Sequence, residues 1–384
     1  ITVRAGRCLW CFAKAIERVV VQGPVLSIIV PTFNERDNIP RLVAALDACL
    51  VGVEWELIVV DDDSPDQTAA VVRAQACANH RVRCLHRIGR RGLSSACIEG
   101  MLSSSAPVVA VMDGDLQHDE RLLPDMLKVL LQGGYDIVVG SRYMAGGSIG
   151  EWDGMRALTS RWATRLSRPL VPAGLTDPMS GFFAMRREVF ERLVRRTSGM
   201  GFKLLLDVLA SSPHPLRFIE LPYEFRSRQA GESKLDSQVA WDYVMLLLDK
   251  SIGRFVPVRL VTFCLVGGSG VLIHFSLLWV LYRWLAVPFA WGQGIATLLA
   301  MTSNFILNNI ITYRDQRLRG WQWLRGWLSF VLVCSLGAVG NVGVASYLFT
   351  QQFHWGLSAL AGILVGTVWN YAVTSSYTWK VKAR

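Results

Sequence analysis

From residue 24 to about residue 140, short apolar runs alternate with longer segments whose apolar residues recur every three or four positions. The run Val-Leu-Ser-Ile-Ile-Val at 25–30 predicts a buried strand that stops at Pro31. Further strands are predicted at 55–60, 81–86, 108–112 and 136–139. Helical periodicity predicts helices at 38–50, 67–78, 92–104 and 120–132. Strand and helix in alternation imply an α/β fold with a mainly parallel sheet covered on both faces. Acidic and small residues follow the strand ends, where open sheets of this kind bind ligands.

From residue 256 the pattern changes. Apolar stretches at roughly 258–282, 289–312, 326–349 and 356–379 are each long enough to cross a hydrocarbon core about 30 Å thick. Arg254 and Arg259 precede the first, Arg314, Arg317, Arg319 and Arg325 separate the second from the third, and Lys380, Lys382 and Arg384 follow the fourth. The other two connections hold only Arg283 between them. That asymmetry predicts four spans with both termini and the preceding domain in the cytosol. Gly267, Gly268, Gly270, Gly337, Gly340 and Gly343 predict close helix packing. Asn304, Asn308, Asn309, Asn341 and Asn370 are expected to bond between helices. The division expected is 1–23 as an N-terminal amphipathic segment, 24–236 as the α/β domain, 237–255 as an interfacial amphipathic helix and 256–384 as an all-α transmembrane four-helix domain. Residues 157–171, with Arg161, Arg165 and Arg168 among Trp162, Leu166 and Leu170, read as a second amphipathic stretch.

Composition agrees with a soluble domain joined to a membrane domain. The chain has 384 residues, 52% of them hydrophobic, and its mean hydropathy is +0.32. The net charge of +10 is met by juxtamembrane Lys and Arg facing an anionic membrane, and no basic block resembles a nucleic-acid tail. Cys8 and Cys11 make one Cys-x-x-Cys without a second pair or a histidine at zinc spacing. The eight cysteines therefore read as reduced thiols.

The chemistry concentrates at Asp113-Gly114-Asp115, after the strand at 108–112. Two carboxylates one residue apart suit Mg2+ or Mn2+, which take hard oxygen ligands and leave positions for substrate phosphates. Gln117 offers a further oxygen, whereas His118 reads as a surface histidine. A second acidic strand end stands at Asp61, Asp62 and Asp63.

Several motifs in order give the chain a resemblance to family 2 glycosyltransferases of the GT-A fold, and among them to the dolichyl-phosphate (polyprenyl-phosphate) mannose synthases. They are Pro31-Thr32-Phe33-Asn34-Glu35, Val59 to Asp66, Arg90-Arg91-Gly92-Leu93, Asp113 to His118, Gly140-Ser141-Arg142-Tyr143, Asp177-Pro178-Met179-Ser180-Gly181-Phe182, Gly201-Phe202-Lys203, and Arg228 with Gly231 to Lys234. The C-terminal stretch resembles the GtrA-like four-helix module. The resemblance implies a Rossmann-like GT-A catalytic domain. It implies nucleotide-sugar contacts at Pro31, Phe33, Glu35, Val60, Asp61, Asp62, Asp63, Arg91, Asp113, Gly114 and Asp115. It implies a metal on Asp113, Asp115 and Gln117, and a lipid phosphate on Ser141, Arg142, Arg156, Arg228 and Lys234. Asp115, Arg142 and Arg228 would then carry the catalysis. Phe33 stands where the family has Tyr, which keeps stacking and loses a hydroxyl.

The function so implied is transfer of mannose from GDP-mannose to a polyprenyl (dolichyl) phosphate, inverting and metal-dependent. Arg suits bidentate phosphate binding and Lys acts as a point charge. A UDP-glucose-dependent transfer to the same lipid is the alternative enzyme. A lipid-sugar flippase or scaffold with an inactive domain is the alternative of another class, opposed by the intact acidic and basic sets. A processive polysaccharide synthase would need Gln-x-x-Arg-Trp, and here Leu158 stands where the Gln before Arg161-Trp162 would be. The expected partners are the nucleotide sugar, the lipid phosphate and the bilayer, without nucleic acid and with room for a homo-oligomer.

Overall fold

A computed structural model describes residues 23–148, 163–199, 201–226, 237–253 and 256–379. The chain divides into two compact units, Ile1–Ser251 and Ile252–Arg384. The expected N-terminal amphipathic segment, except for Gly23, and the first part of 157–171 lie outside the described residues, as do Arg156, Arg228 and Lys234.

The first unit is built on a seven-stranded sheet: β1 (Leu26–Thr32), β2 (Trp55–Asp61), β3 (Val82–His86), β4 (Val108–Val111), β5 (Ile137–Ser141), β6 (Phe183–Arg186) and β7 (Phe218–Pro222). Their spatial order is β3-β2-β1-β4-β6-β5-β7. Only β6 runs antiparallel to its neighbours, β4 and β5. The first five strands are those predicted. β6 and β7 were not, and they complete the sheet beyond β4. Helices α1 (Ile39–Cys49), α2 (Thr68–Ala78), α3 (Leu93–Leu102) and α4 (Leu123–Gln132) match the predicted helices within a few residues. Among the described residues that follow are α5 (Arg187–Leu193), α6 (Leu204–Ser211) and α7 (Ser237–Ile252).

Period-two alternation assigns each strand residue to one of two cores. Leu26, Ile28 and Val30 of β1 enter one cluster with α1 and α4. Ile29 enters the other, with α3, α5 and α6. Burial on both faces is why these strands read as continuous apolar runs. Because β2 lies on one side of β1 and β4 on the other, the chain reverses its winding beside β1. The crevice at the C-terminal ends of β1, β2 and β4 therefore opens at a topological switch point.

The helix α7 uses one face on the first unit's own core. Leu246 is buried with Met179 and Leu206, and the Lys250 ammonium lies 2.7 Å from the fully buried Asp207.

The second unit holds four helices long and apolar enough to span a membrane: α8 (Val258–Trp284), α9 (Phe289–Thr312), α10 (Trp321–Thr350) and α11 (Trp355–Thr378). The third begins earlier than predicted, with Trp321 and Trp323 at its start. The unit is an internal repeat of two helical hairpins. Residues 304–313, Asn-Phe-Ile-Leu-Asn-Asn-Ile-Ile-Thr-Tyr, correspond to 370–379, Asn-Tyr-Ala-Val-Thr-Ser-Ser-Tyr-Thr-Trp. Gly292, Ala296 and Ala300 on the buried face of α9 stand where Ser358, Gly362 and Gly366 stand in α11. Phe263, Val266 and Gly270 of α8 answer Phe330, Val333 and Gly337 of α10. Both second helices end in a wider π turn, Asn308–Thr312 and Thr374–Thr378. In one the Asn308 amide donates to Asn304 O, and in the other the Thr374 hydroxyl donates to Asn370 O. The terminal residues Tyr313 and Trp379 stack on each other, 4.2 Å between ring centres and 4° from parallel.

The asparagines depart from expectation. The Oδ1 atoms of Asn304 and Asn370 accept no hydrogen bond from a described residue. They lie against the bare backbone of Gly270 and Gly337 on the paired helix, where a Cβ would overlap them. Asn309 does bond across, accepting from Trp379 Nε1 at 3.1 Å and from Leu318 N at 2.8 Å. Gly270→Leu and Gly337→Leu are therefore expected to destabilise the bundle by about 1–3 kcal/mol or more. Gly268→Leu and Gly340→Leu, whose glycines meet open space, should leave the melting temperature in detergent within a degree or two of wild type. Equal melting of all four would refute the packing role.

Candidate active site

Three strand ends converge. Thr32, closing β1, donates through Oγ1 to Asp61 Oδ1 at 3.2 Å, and Asp61 closes β2. Ser64 donates its N–H and its hydroxyl to the same carboxylate, at 3.0 and 2.6 Å. Asp61 is thus the anchor of the turn that follows it. The Asp62 carboxylate accepts from Gly92 N at 2.7 Å and from the buried Arg87 at 2.8 Å. Burial pushes its pKa up, against the opposing pull of the Gly92 N–H and Arg87. Asp63, largely exposed and with a positive φ of 55°, accepts from Gly89 N and His86 Nε2, both at 3.1 Å. Those hydrogen bonds hold its carboxyl below the usual range. All three aspartates hold loop backbone, and Asp63 is the one that also faces water.

The loop that Asp62 and Arg87 hold carries Arg91. Its guanidinium carbon lies 4.2 Å from the centre of the Phe33 ring, a cation–π contact between two of the predicted nucleotide-binding residues. Pro31 and Glu35 flank Phe33, and Glu35 accepts from Asn38 Nδ2 at 2.7 Å. Val60 is fully buried in β2, so its side chain supports the strand end from the core.

Asp113 and Asp115 follow β4. The Asp113 side chain is 38% exposed, whereas Asp115 is buried and accepts from Gln117 N at 3.2 Å. Gly114 packs its backbone on Val30 and Thr32, whose methyls would lie 3.2 and 3.3 Å from an added Cβ. Gln117 is buried, and its Nε2 donates to Arg226 O at 3.0 Å, leaving the carboxamide oxygen as the atom it could offer a metal. Among the described residues no third carboxylate, histidine or thiol joins the two aspartates in a metal-binding cluster. Two carboxylates with the rest of the shell left to phosphate and water is the donor set that Mg2+ or Mn2+ accepts, so these residues fit such an ion.

His118 corrects its reading as a surface residue: it is 2% exposed. Phe182 stacks on it and Tyr223 and Phe225 present their edges. Burial pushes its pKa down, more than the nearby Asp113 and Asp115 carboxylates push it up.

Ser141 and Arg142 end β5. The Ser141 hydroxyl pairs with Thr176 Oγ1 at 2.7 Å. Arg142 forms a bidentate pair with Asp177, Nε to Oδ2 at 2.7 Å and Nη2 to Oδ1 at 2.8 Å. Asp177 is buried and the Arg142 side chain is 9% exposed, and Glu220 of β7 accepts from the N–H groups of Thr176 and Asp177. Burial would lower the arginine's pKa, and the Asp177 pair more than offsets it. The predicted phosphate ligand is therefore first a brace that ties β5 to β7. Arg226 likewise joins Asp119 and Glu120, at 2.6 and 2.8 Å. Nothing in the sequence marks Arg87, Glu220 or Arg226, and Asp177 stands out only within its motif. Each is an ion whose partner lies far along the chain, and pairing at such range leaves no local spacing to detect.

Residues 27–194 match the family model for glycosyl transferase family 2, and residues 262–379 that for the GtrA/DPMS transmembrane domain. A dolichol-phosphate mannosyltransferase of Pyrococcus furiosus is 34% identical over 356 residues, covering 92% of this chain and 99% of that one. That of Saccharomyces cerevisiae is 34% identical over 246 residues, covering 62% and 91%. Among solved structures, glucosyl-3-phosphoglycerate synthase from Mycobacterium tuberculosis, in complex with Mn2+, UDP and glucosyl-3-phosphoglycerate, superposes with a TM-score of 0.44 at 20% identity, covering 65% of this chain and 86% of that one. The fold and the sequence define a membrane-embedded family 2 glycosyltransferase. Within that family the chain belongs with the dolichol-phosphate mannosyltransferases, and it carries a GtrA/DPMS transmembrane domain.

Removing one partner of the Arg142–Asp177 pair leaves a buried charge. Asp177→Asn and Arg142→Met are each expected to lower unfolding stability by about 3–5 kcal/mol. Coupling in the double variant, measured by thermal or denaturant melts, checks it. Gly114→Ala should cost no more than about 1 kcal/mol, because Val30 and Thr32 need yield only a few tenths of an ångström.

Proposed function

We propose that the protein transfers mannose from GDP-mannose to the phosphate of a polyprenyl (dolichyl) phosphate, inverting the anomeric carbon, with Mg2+ or Mn2+ as cofactor. The observation that carries this reading is the match along nearly the whole length of the Pyrococcus furiosus dolichol-phosphate mannosyltransferase. The crevice supports it from the chemical side. Phe33 and Arg91 offer a flat aromatic and cationic surface to a purine, and Asp63 offers an exposed carboxylate to base or ribose hydroxyls. Asp113 and Asp115 would hold the cation, whose charge screens the departing nucleotide diphosphate.

The acceptor needs little activation. A phosphomonoester is already anionic at neutral pH, so its oxygen can attack the sugar's C1 as the C1–O bond to the nucleotide diphosphate breaks. What it needs is positive charge to bring it beside a second anion. Arg142, fixed by Asp177, supplies that charge at the end of β5. Arg156, Arg228 and Lys234 are the further cations we assign to the acceptor phosphate from their motifs.

We place the transfer at the cytosolic membrane face. Arg259, Arg314, Arg317, Arg319 and Arg325 lie at the start of α8 and around the α9–α10 connection. The α10–α11 connection, at the other end of the bundle, holds no Lys or Arg. Such a bias sets the basic end inward.

Membranes containing the protein are expected to move label from GDP-mannose, and not from UDP-glucose, into extractable lipid. EDTA should abolish the transfer and added Mn2+ restore it. Asp115→Ala should lower turnover by at least about a hundredfold, the scale on which one charge-stabilising group acts. Label entering lipid from UDP-glucose alone would replace the donor assignment, and full turnover in EDTA would remove the metal.

A further inference from the structure

His118 occupies a position that packing alone does not require. The chain turns back at Leu116, whose φ is 62°, and brings the imidazole under the residue five positions earlier. Its ring centre is 5.2 Å from that of Phe182, 11° from parallel, and 5.8 Å from those of Tyr223 and Phe225. In so apolar a box, a polar ring is costly unless its nitrogens are used. Nδ1 is used on Asp113. Nδ1 accepts the Asp113 N–H at 3.0 Å, and Nε2 lies 3.7 Å from Asp113 Oδ2. A backbone N–H can only donate, so Nδ1 carries no proton and Nε2 does. The N–H of Nε2 is thereby set on the carboxylate side. Gly181 closes the arrangement: a Cβ there would stand 3.2 Å from Asp113 Oδ2 and 3.4 Å from His118 Cε1.

We propose that His118 is a positioning residue for the metal-binding carboxylate, fixing Asp113 through its main-chain N–H. The inference rests on the reading that Asp113 and Asp115 bind a divalent cation. Asp113 is the more exposed of the two aspartates, and an exposed carboxylate loses rotational freedom when it takes a cation. A buried ring that has already fixed its backbone reduces that loss. Partners of this kind, one bond behind a ligand, typically change metal affinity by about 10–100-fold when removed.

The test is Mn2+ binding to the full-length protein in detergent, followed by electron paramagnetic resonance with GDP bound and without it. Asn puts its Oδ1 near the position of Nδ1, Gln reaches toward Nε2, and Phe keeps only the ring. His118→Phe and His118→Gln are expected to bind Mn2+ about 10–100-fold more weakly than wild type, and His118→Asn to stay within about threefold of it. Raising Mn2+ should restore turnover in the weak binders, which a merely structural defect would not allow. Should the Phe variant fail to fold, the Asn and Gln pair decides alone. Wild-type affinity in His118→Gln, or a loss in folded His118→Asn as large as in His118→Gln, overturns the proposal. Asp115→Ala separates the two levels. If wild type binds Mn2+ and Asp115→Ala does not, while every His118 variant matches wild type, only the role of His118 falls. If wild type binds no Mn2+, the metal reading and this inference fall together.

Discussion

The crevice depends on charge being held in pairs before any substrate arrives. Burying a lone ion costs several kcal/mol, so each arginine placed beneath the strand ends must come with its acid. Arg87 is matched by Asp62, Arg142 by Asp177, and Arg226 by Asp119 and Glu120. These pairs fasten the β3–α3 loop, the end of β5 and the segment after β7 to the rest of the unit. Substrate binding can then act on loops that are already in place, and the cost of ordering them is met in folding.

The same frame explains how residues of one type divide their work. Three consecutive aspartates leave β2, and they do different things because their surroundings differ. Asp61 holds its own turn, Asp62 holds a neighbouring loop through Arg87, and Asp63 takes Gly89 N of that loop while facing water. Asp113 and Asp115 divide similarly, one accessible and one buried.

Much of this was legible in the sequence where the signal was local. β1, β2 and β4 are apolar runs buried on both faces, and the four spans are long apolar helices, so both declare themselves in hydropathy. β6 and β7 did not, because Phe183–Arg186 and Phe218–Pro222 are short and mixed in character. They become strands by pairing with β4 and β5. His118 was misread for a related reason: nothing near it is apolar enough to suggest burial, and the rings that enclose it come from residues 182, 223 and 225. Arg142 was found as a cation, but its partner was not. The repeat in the membrane unit leaves a faint trace in the sequence because what it preserves is small residues, asparagine and one terminal aromatic, against a background of interchangeable apolar side chains.

That repeat bears on how the bundle is assembled. Tyr313 and Trp379 are counterparts that touch each other, so the two hairpins meet through equivalent positions. A hairpin that mates with its near-twin carries a surface complementary to something close to itself. Two separate polypeptides, each with a single hairpin, would meet the same geometric conditions that one polypeptide meets here, and the α9–α10 connection serves to raise the local concentration of one half around the other.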